Sequence, residues 1–235
     1  MLPCYSTVFR AIGLRPDMHL LDAGCGSGLA MELATKQGAR PTGLDAAVGM
    51  LAIAWERLPH ADIRHGELEQ LPFDRGTFDA VTAFDSLAYT DHPGTAVREL
   101  CRVARPGAPV AIVTWAEPER CGIRAALDAV AALLPPPAPG APGPFTLGEP
   151  GALEALAAAA GLAVEAVGEV PVTFGYGSLD AAVRAQLAGG PAQRAVAYVG
   201  RQATAEAVAV ALAGCGRPGG GYRLANVFRY LVGRC

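Results

Sequence analysis

Leu20-Leu21-Asp22-Ala23-Gly24-Cys25-Gly26-Ser27-Gly28 decides how the rest of this chain is read. A mainly apolar run gives way to glycines at alternate positions, and a helical pattern follows. The run reads as a strand and the glycines as a tight turn into a helix. A backbone without side chains lets a ligand lie directly on such a turn. The helix behind it offers backbone amides and the positive end of its dipole. Turns of this kind hold nucleotide-like cofactors; a turn packed tightly for its own sake is the alternative.

Spacing narrows the ligand. A dinucleotide fingerprint is G-x-G-x-x-G, which from Gly24 needs a third glycine at position 29. That position is Leu29; the third glycine is Gly28, and Asp22 sits two residues before the first. The pattern is therefore D-x-G-x-G-x-G.

Outward from this turn, apolar runs alternate with helical patterns, the signature of a parallel sheet covered on both faces. Strands are expected over 19–23, 40–44, 62–65, 78–84 and 109–114, and helices over 28–37, 48–57 and 95–103. Pro106-Gly107 closes the last of these helices. Beyond Trp115 the pattern becomes less regular. A helix over 120–134 leads to a proline-rich run, 135–144, read as a stiff surface connector. A helix over 149–160 and a strand over 162–174 follow. Two or more Ala-rich helices are expected over 179–213, broken around Gly189-Gly190-Pro191, and a last strand over 222–232.

Composition bounds the function. With 235 residues and 51% hydrophobic content the chain buries a full core as one domain. A net charge of −3 argues against a nucleic-acid partner. No apolar run reaches the ~18–20 residues that span a bilayer, and no secretory signal stands at the start, so a cytoplasmic protein is expected. The six cysteines are scattered without a C-x-x-C pair, so neither a metal site nor a disulfide is expected. Lys36 is the only lysine, and Ala, Gly and Pro are abundant, a bias that suggests a GC-rich bacterial genome.

Asp45 closes the second strand about twenty residues after Gly24, where an acid accepts the two ribose hydroxyls of an adenosine. Capping of the helix over 48–57 is the alternative role. Further on stand Gly66-Glu67-Leu68, Leu71-Pro72-Phe73, Phe78-Asp79 and Arg105-Pro106-Gly107. Together with D-x-G-x-G-x-G these motifs, spread over residues 18–116, resemble the class I S-adenosylmethionine (SAM) dependent methyltransferases of the small-molecule, UbiE-like type. The resemblance implies a Rossmann-like, seven-stranded, mostly parallel sheet with helices on both faces and a helical cap. It implies a SAM-binding half over 1–116, with the remainder of the same domain over 117–235. It also implies a donor site built from Asp22, Gly24, Cys25, Gly26 and Gly28, with Asp45 and Ala46 at the ribose. Met50, Glu67 and Leu68 would meet the adenine, and Phe84, Asp85 and Ser86 the methionine end. Glu67 stands where the family more often has Asp.

The charges agree with a cationic ligand. Asp22, Asp45, Glu67 and Asp85 fall at strand ends, where a sulfonium is welcome and a pyrophosphate is not; a merely solvated acidic rim is the competing explanation. Methyl transfer is an in-line displacement that needs placement first, and a base only when the nucleophile must lose a proton. His92 and Glu119 are the candidates for that base, His92 having an exposed helix-capping turn as its plainer role. Tyr89 and Trp115 could wall the acceptor or be core aromatics, and Tyr5 on a short N-terminal lid could reach the donor. The helices over 120–134 and 179–213 are expected to form the acceptor cap.

The leading function is methyl transfer from SAM to O, N or C of a small organic acceptor, in secondary metabolism. The alternatives are a non-methylating SAM enzyme (cyclase or elimination), a non-catalytic SAM-binding partner, and, more distantly, a nicotinamide oxidoreductase.

Overall fold

A strand buried on both faces carries apolar side chains at successive positions, and Leu20, Leu21 and Ala23 are all inaccessible to solvent. They belong to β1 (His19–Ala23), an interior strand of a seven-stranded sheet in a computed structural model that describes residues 1–136 and 143–235. The others are β2 (Arg40–Asp45), β3 (Asp62–His65), β4 (Ala80–Phe84), β5 (Pro109–Trp115), β6 (Ala163–Tyr176) and β7 (Tyr222–Arg234). Their order is β3-β2-β1-β4-β5-β7-β6. β1 to β5 pair in parallel, and β7 runs antiparallel to β5, from Pro109↔Arg234 to Trp115↔Phe228.

Helices α1 (Leu2–Ala11), α2 (Leu29–Lys36), α3 (Val48–Arg57), α4 (Pro93–Val103), α5 (Arg124–Ala131), α6 (Ala152–Ala159), α7 (Leu179–Leu187), α8 (Gly190–Val199) and α9 (Arg201–Leu212) complete the framework. Alternate residues of a strand face opposite sides, and β2 shows the consequence. Leu44 joins the cluster packed with α4 and α6, whereas a Cβ at Gly43 would meet Met31 of α2.

The chain divides into two units. The first comprises Met1–Ala116, Pro142–Val170 and Phe228–Cys235; the second comprises Glu117–Ala141 and Pro171–Val227. In the second, α9 packs on α5, α7 and α8 through buried Thr204, Val208 and Leu212. Among the described residues no helix is long and apolar enough to cross a membrane.

Several boundaries differ from the expectations. β4 begins at Ala80 rather than 78, because Phe78 pairs instead with Ala104, just beyond α4. The helix over 120–134 is shorter: Pro118–Arg120 is a single turn, and Gly122 donates to Ala225 O at 2.7 Å. α5 then starts where buried Asn226 accepts the amide of Ile123. The 149–160 helix starts only at Ala152, after left-handed Gly151. The Ala-rich stretch holds three helices, its second break falling at Gly200 with φ +91°. The proline-rich connector lies largely outside the described residues. Contrary to the cysteine reading, Cys101 of α4 and Cys235 at the chain end are disulfide-bonded across 134 residues.

Candidate functional site

Strand order reverses between β1 and β4, which are neighbours although β2 and β3 intervene in the chain. In open α/β sheets ligands bind outside the carboxyl ends of the strands at such a switch point. Gly24 lies just beyond the end of β1, and Ser86 just beyond the end of β4. A Cβ on Gly24 would stand 2.2 Å from Ser86 Cβ, and the glycine's φ is +79°. Only glycine meets both conditions. Ser86 locks the contact by donating its hydroxyl to Ala23 O at 2.9 Å.

The turn is held from β2. Leu44 O accepts the amides of Gly24 (2.7 Å) and Cys25 (3.0 Å), and Gly28 donates to Cys25 O. Asp45 Oδ2 accepts the amide of Gly26 at 2.7 Å, and its Oδ1 accepts that of Ala47 at 2.8 Å. Asp45 therefore ties the glycine turn to the start of α3. It is not the cap of that helix, which is Ala47. Each carboxylate oxygen can still accept a second bond. Met50 Cε lies 3.4 Å from where a Cβ on Gly26 would stand, so Met50 flanks the same turn.

Asp22 is 1% exposed in the sheet interior. Burial, with a contribution from Asp45, pushes its carboxyl up to about 7, against the pull of the Thr82 hydroxyl, which donates to Oδ1 at 2.9 Å. Asp85 follows β4 with φ +53°, its amide donating to Val113 O. Burial holds its carboxyl well above the ordinary range, countered by the Trp115 indole.

The N-terminal helix closes this end. Cys4, Tyr5, Val8 and Phe9 form the buried face of α1. The Tyr5 ring meets that of Phe84 edge-on at 4.8 Å, with Phe9 at 6.0 Å. Burial raises the Tyr5 hydroxyl, and Asp22 and Asp85 raise it further.

The remaining expected residues fall at differing distances from this centre. Ala46 and Glu67 are exposed, while Leu68 is buried in the sheet core. His65 stands beside Ala46, its Nε2 3.1 Å from Ala46 O. His92 is exposed at the N-cap of α4; its side chain makes no capping bond and its amide donates to Glu69. Glu119 lies in the second unit, paired with Arg124 at 2.8 Å. Trp115 is buried and stacks on Phe228 at 4.1 Å, whereas Tyr89 is 49% exposed. Sequence reasoning missed Thr82, which bonds Asp22, Cys4, on which Asp85 acts, and Arg57, which acts on Tyr5. A polar residue inside an apolar strand was the signal for Thr82.

A mostly parallel sheet with a glycine turn at its switch point defines a Rossmann-like domain. Residues 21–112 of the chain match the model described as Methyltransferase domain. It is 32% identical over 111 residues to a demethylmenaquinone methyltransferase of Renibacterium salmoninarum, covering 47% of each chain. It is 38% identical over 113 residues to a malonyl-[acyl-carrier protein] O-methyltransferase of Serratia marcescens, covering 46% of this chain and 43% of that protein. The chain thus spans about half the length of the curated relatives it matches. In fold it resembles the YcgJ protein of Bacillus subtilis (TM-score 0.62, 18% identity, 97% and 96% of the two chains). It also resembles the [4+2]-cyclase SpnF (TM-score 0.60, 22% identity, 96% and 80%).

Proposed function

We propose that the protein transfers a methyl group from SAM to an oxygen, nitrogen or carbon of a small organic acceptor. One observation carries this reading: Asp22 is buried beside the glycine turn, Asp85 keeps one oxygen sealed from solvent there, and burial raises both carboxyls, neither of which has an ion pair among the described residues. A pyrophosphate placed there would add repulsion; a sulfonium and an ammonium supply the missing charge.

In this reading Asp45, beside Ala46, receives the ribose hydroxyls, and Met50, Glu67 and Leu68 receive the adenine. The turn Gly24-Cys25-Gly26 with Gly28 lies under the donor, and Phe84, Asp85 and Ser86 line its methionine end. When bound, SAM supplies a methyl carbon already activated for displacement. The chain supplies placement, worth up to ~7–11 kcal/mol when reacting atoms are held in line. α1 excludes water through Tyr5 and Phe9. For an acceptor that must lose a proton, His92 is the proposed base and Glu119 the second candidate, contributing roughly 10²–10⁴-fold. The helices of the second unit are proposed as the acceptor cap: the chain enters α5 after β5 and, later, runs from α9 towards β7.

The test is calorimetric titration with SAM, its demethylated product and NAD, followed by incubation of methyl-tritiated SAM with an acceptor panel. Binding of the two SAM-derived ligands but not NAD, with label appearing in an acceptor, is the expected result. Stabilisation by NAD alone would overturn it; binding without label transfer would leave a SAM enzyme of another reaction type.

A further inference from the structure

Asp85 has surroundings unlike those of the other acids at the strand ends. Asp45 is engaged by two backbone amides and Asp22 by the Thr82 hydroxyl. Asp85 Oδ1 is sealed from solvent and makes no hydrogen bond, and the one neighbour that favours the charged form of the carboxyl is the Trp115 indole. Its left-handed backbone, which Asp tolerates better than most residues, is pinned by the bond from its amide to Val113 O at 2.9 Å.

The groups around it are nearly all neutral. From β5 comes the Trp115 indole. From α1 come the Cys4 thiol, pushed up to about 12, and the Tyr5 hydroxyl, also raised, in both cases mainly by burial. The cations of this neighbourhood act elsewhere: the chain's amino terminus on Cys4, and Arg57 on Tyr5. Asp22 is a further acid that acts on Tyr5. The carboxyl is favoured in its neutral form, because burial of Oδ1 penalises the charged one. It ionises when a cation enters, because an unpaired buried charge costs several kcal/mol and a paired one much less.

Resting on the reading that the cleft holds SAM, we propose that Asp85 tells the sulfonium ligand from the neutral thioether product by releasing a proton when the cation binds and taking one up when the charge is gone. The carboxylic acid gives its proton to solvent and the carboxylate faces the positive ligand; with the thioether the carboxyl stays protonated. Neither state buries a net charge at this position. The proton exchange therefore favours loading and product release together.

The experiment titrates the full chain with SAM and with its demethylated product from about pH 5.5 to about pH 7, below the range of the ligands' own amino group. For the wild type, the preference for SAM is expected to rise with pH, by up to about tenfold per pH unit, the limit for one linked proton. In Asp85→Asn, an amide that also accepts left-handed backbone, the preference is expected to be small and flat with pH. In Asp22→Asn the slope is expected to persist. A slope retained by Asp85→Asn, or lost in Asp22→Asn alone, overturns the assignment. Calorimetry of the wild type in two buffers of different ionisation enthalpy needs no variant. It is expected to count about one more proton released with SAM than with the product, and an equal count sinks the inference while leaving SAM binding intact. Failure of both ligands to bind removes the cofactor reading itself.

Discussion

The Thr82 hydroxyl donates to Asp22 Oδ1 at 2.9 Å from the neighbouring strand, inside the sheet. That bond is the one local group lowering a carboxyl that burial has raised to about 7. The native state therefore binds a proton more tightly than the unfolded chain does, between the ordinary carboxylate value and about 7. Over that window the contribution of Asp22 to stability falls as pH rises, and it is flat above it. Asp22→Asn removes the dependence. The difference in unfolding free energy between Asp22→Asn and wild type should grow from pH 4 to pH 7 by up to roughly 4 kcal/mol. Urea unfolding of the ligand-free proteins at several pH values measures it, and comparing the two proteins cancels groups of opposite sign such as Glu99, which Arg102 holds low.

The contact between Gly24 and Ser86 makes a second prediction. Gly24→Ala puts a methyl group 2.2 Å from Ser86 Cβ and forces an alanine into a left-handed conformation. The conformation alone costs about 1–2 kcal/mol, and the clash displaces either β1 or the turn after β4. Loss of donor binding and a lower melting temperature are expected. Adding Ser86→Gly relieves the clash but not the strain, so the double variant should recover part of the stability. A single variant that melts like the wild type would show that the two strand ends are not in contact.

How much of this was legible depended on sequence distance. β1, the glycine turn and β2 could be read because each feature is local: an apolar run, glycines at fixed offsets, an acid closing the next strand. Asp45 was placed for its ribose role, and its hold on the Gly26 amide adds a reason that spacing could not show. Asp85 was identified as an acid at a strand end, but its sealing by Trp115 and α1 joins three distant segments. The break at Gly200 passed unnoticed because Ala-rich sequence on both sides reads as one continuous helix. Phe78 looked like strand because it is apolar and precedes Asp79, yet its pairing with Ala104 is decided by where α4 ends.

The disulfide is the plainest failure of spacing, since its cysteines stand 134 residues apart. It ties Cys235 to α4 and closes a loop over a little more than half of the chain. Cross-links over loops of this length stabilise by up to about 5 kcal/mol in the chain-entropy model, and removing a native bridge costs about 2–5 kcal/mol. Cys101→Ser is accordingly expected to lower the midpoint of denaturant unfolding markedly. Thiol counting tests the bond directly. The unreduced protein should show four thiols when unfolded, Cys4, Cys25, Cys121 and Cys215. When folded, only Cys215 should react readily, because the other three are buried. Six thiols in the unreduced, unfolded chain would exclude the bridge.

Tyr5 and Phe84 meet edge-on at 4.8 Å, and their contact fixes α1 over the end of β4. Such aromatic pairs add about 0.5–1.5 kcal/mol beyond burial, and truncation of a buried aromatic costs about 3–5 kcal/mol. The hydroxyl is a separate matter: burial and two nearby carboxyls keep it neutral, so it carries no charge that the site uses. Tyr5→Phe should therefore keep the stability of the wild type within about 1 kcal/mol, whereas Tyr5→Ala should lose about 3 kcal/mol or more and weaken donor binding at least tenfold as α1 loosens. Thermal melts with and without SAM separate the two effects. Equal donor affinity in Tyr5→Ala and wild type would mean that α1 stabilises the domain without closing its ligand site.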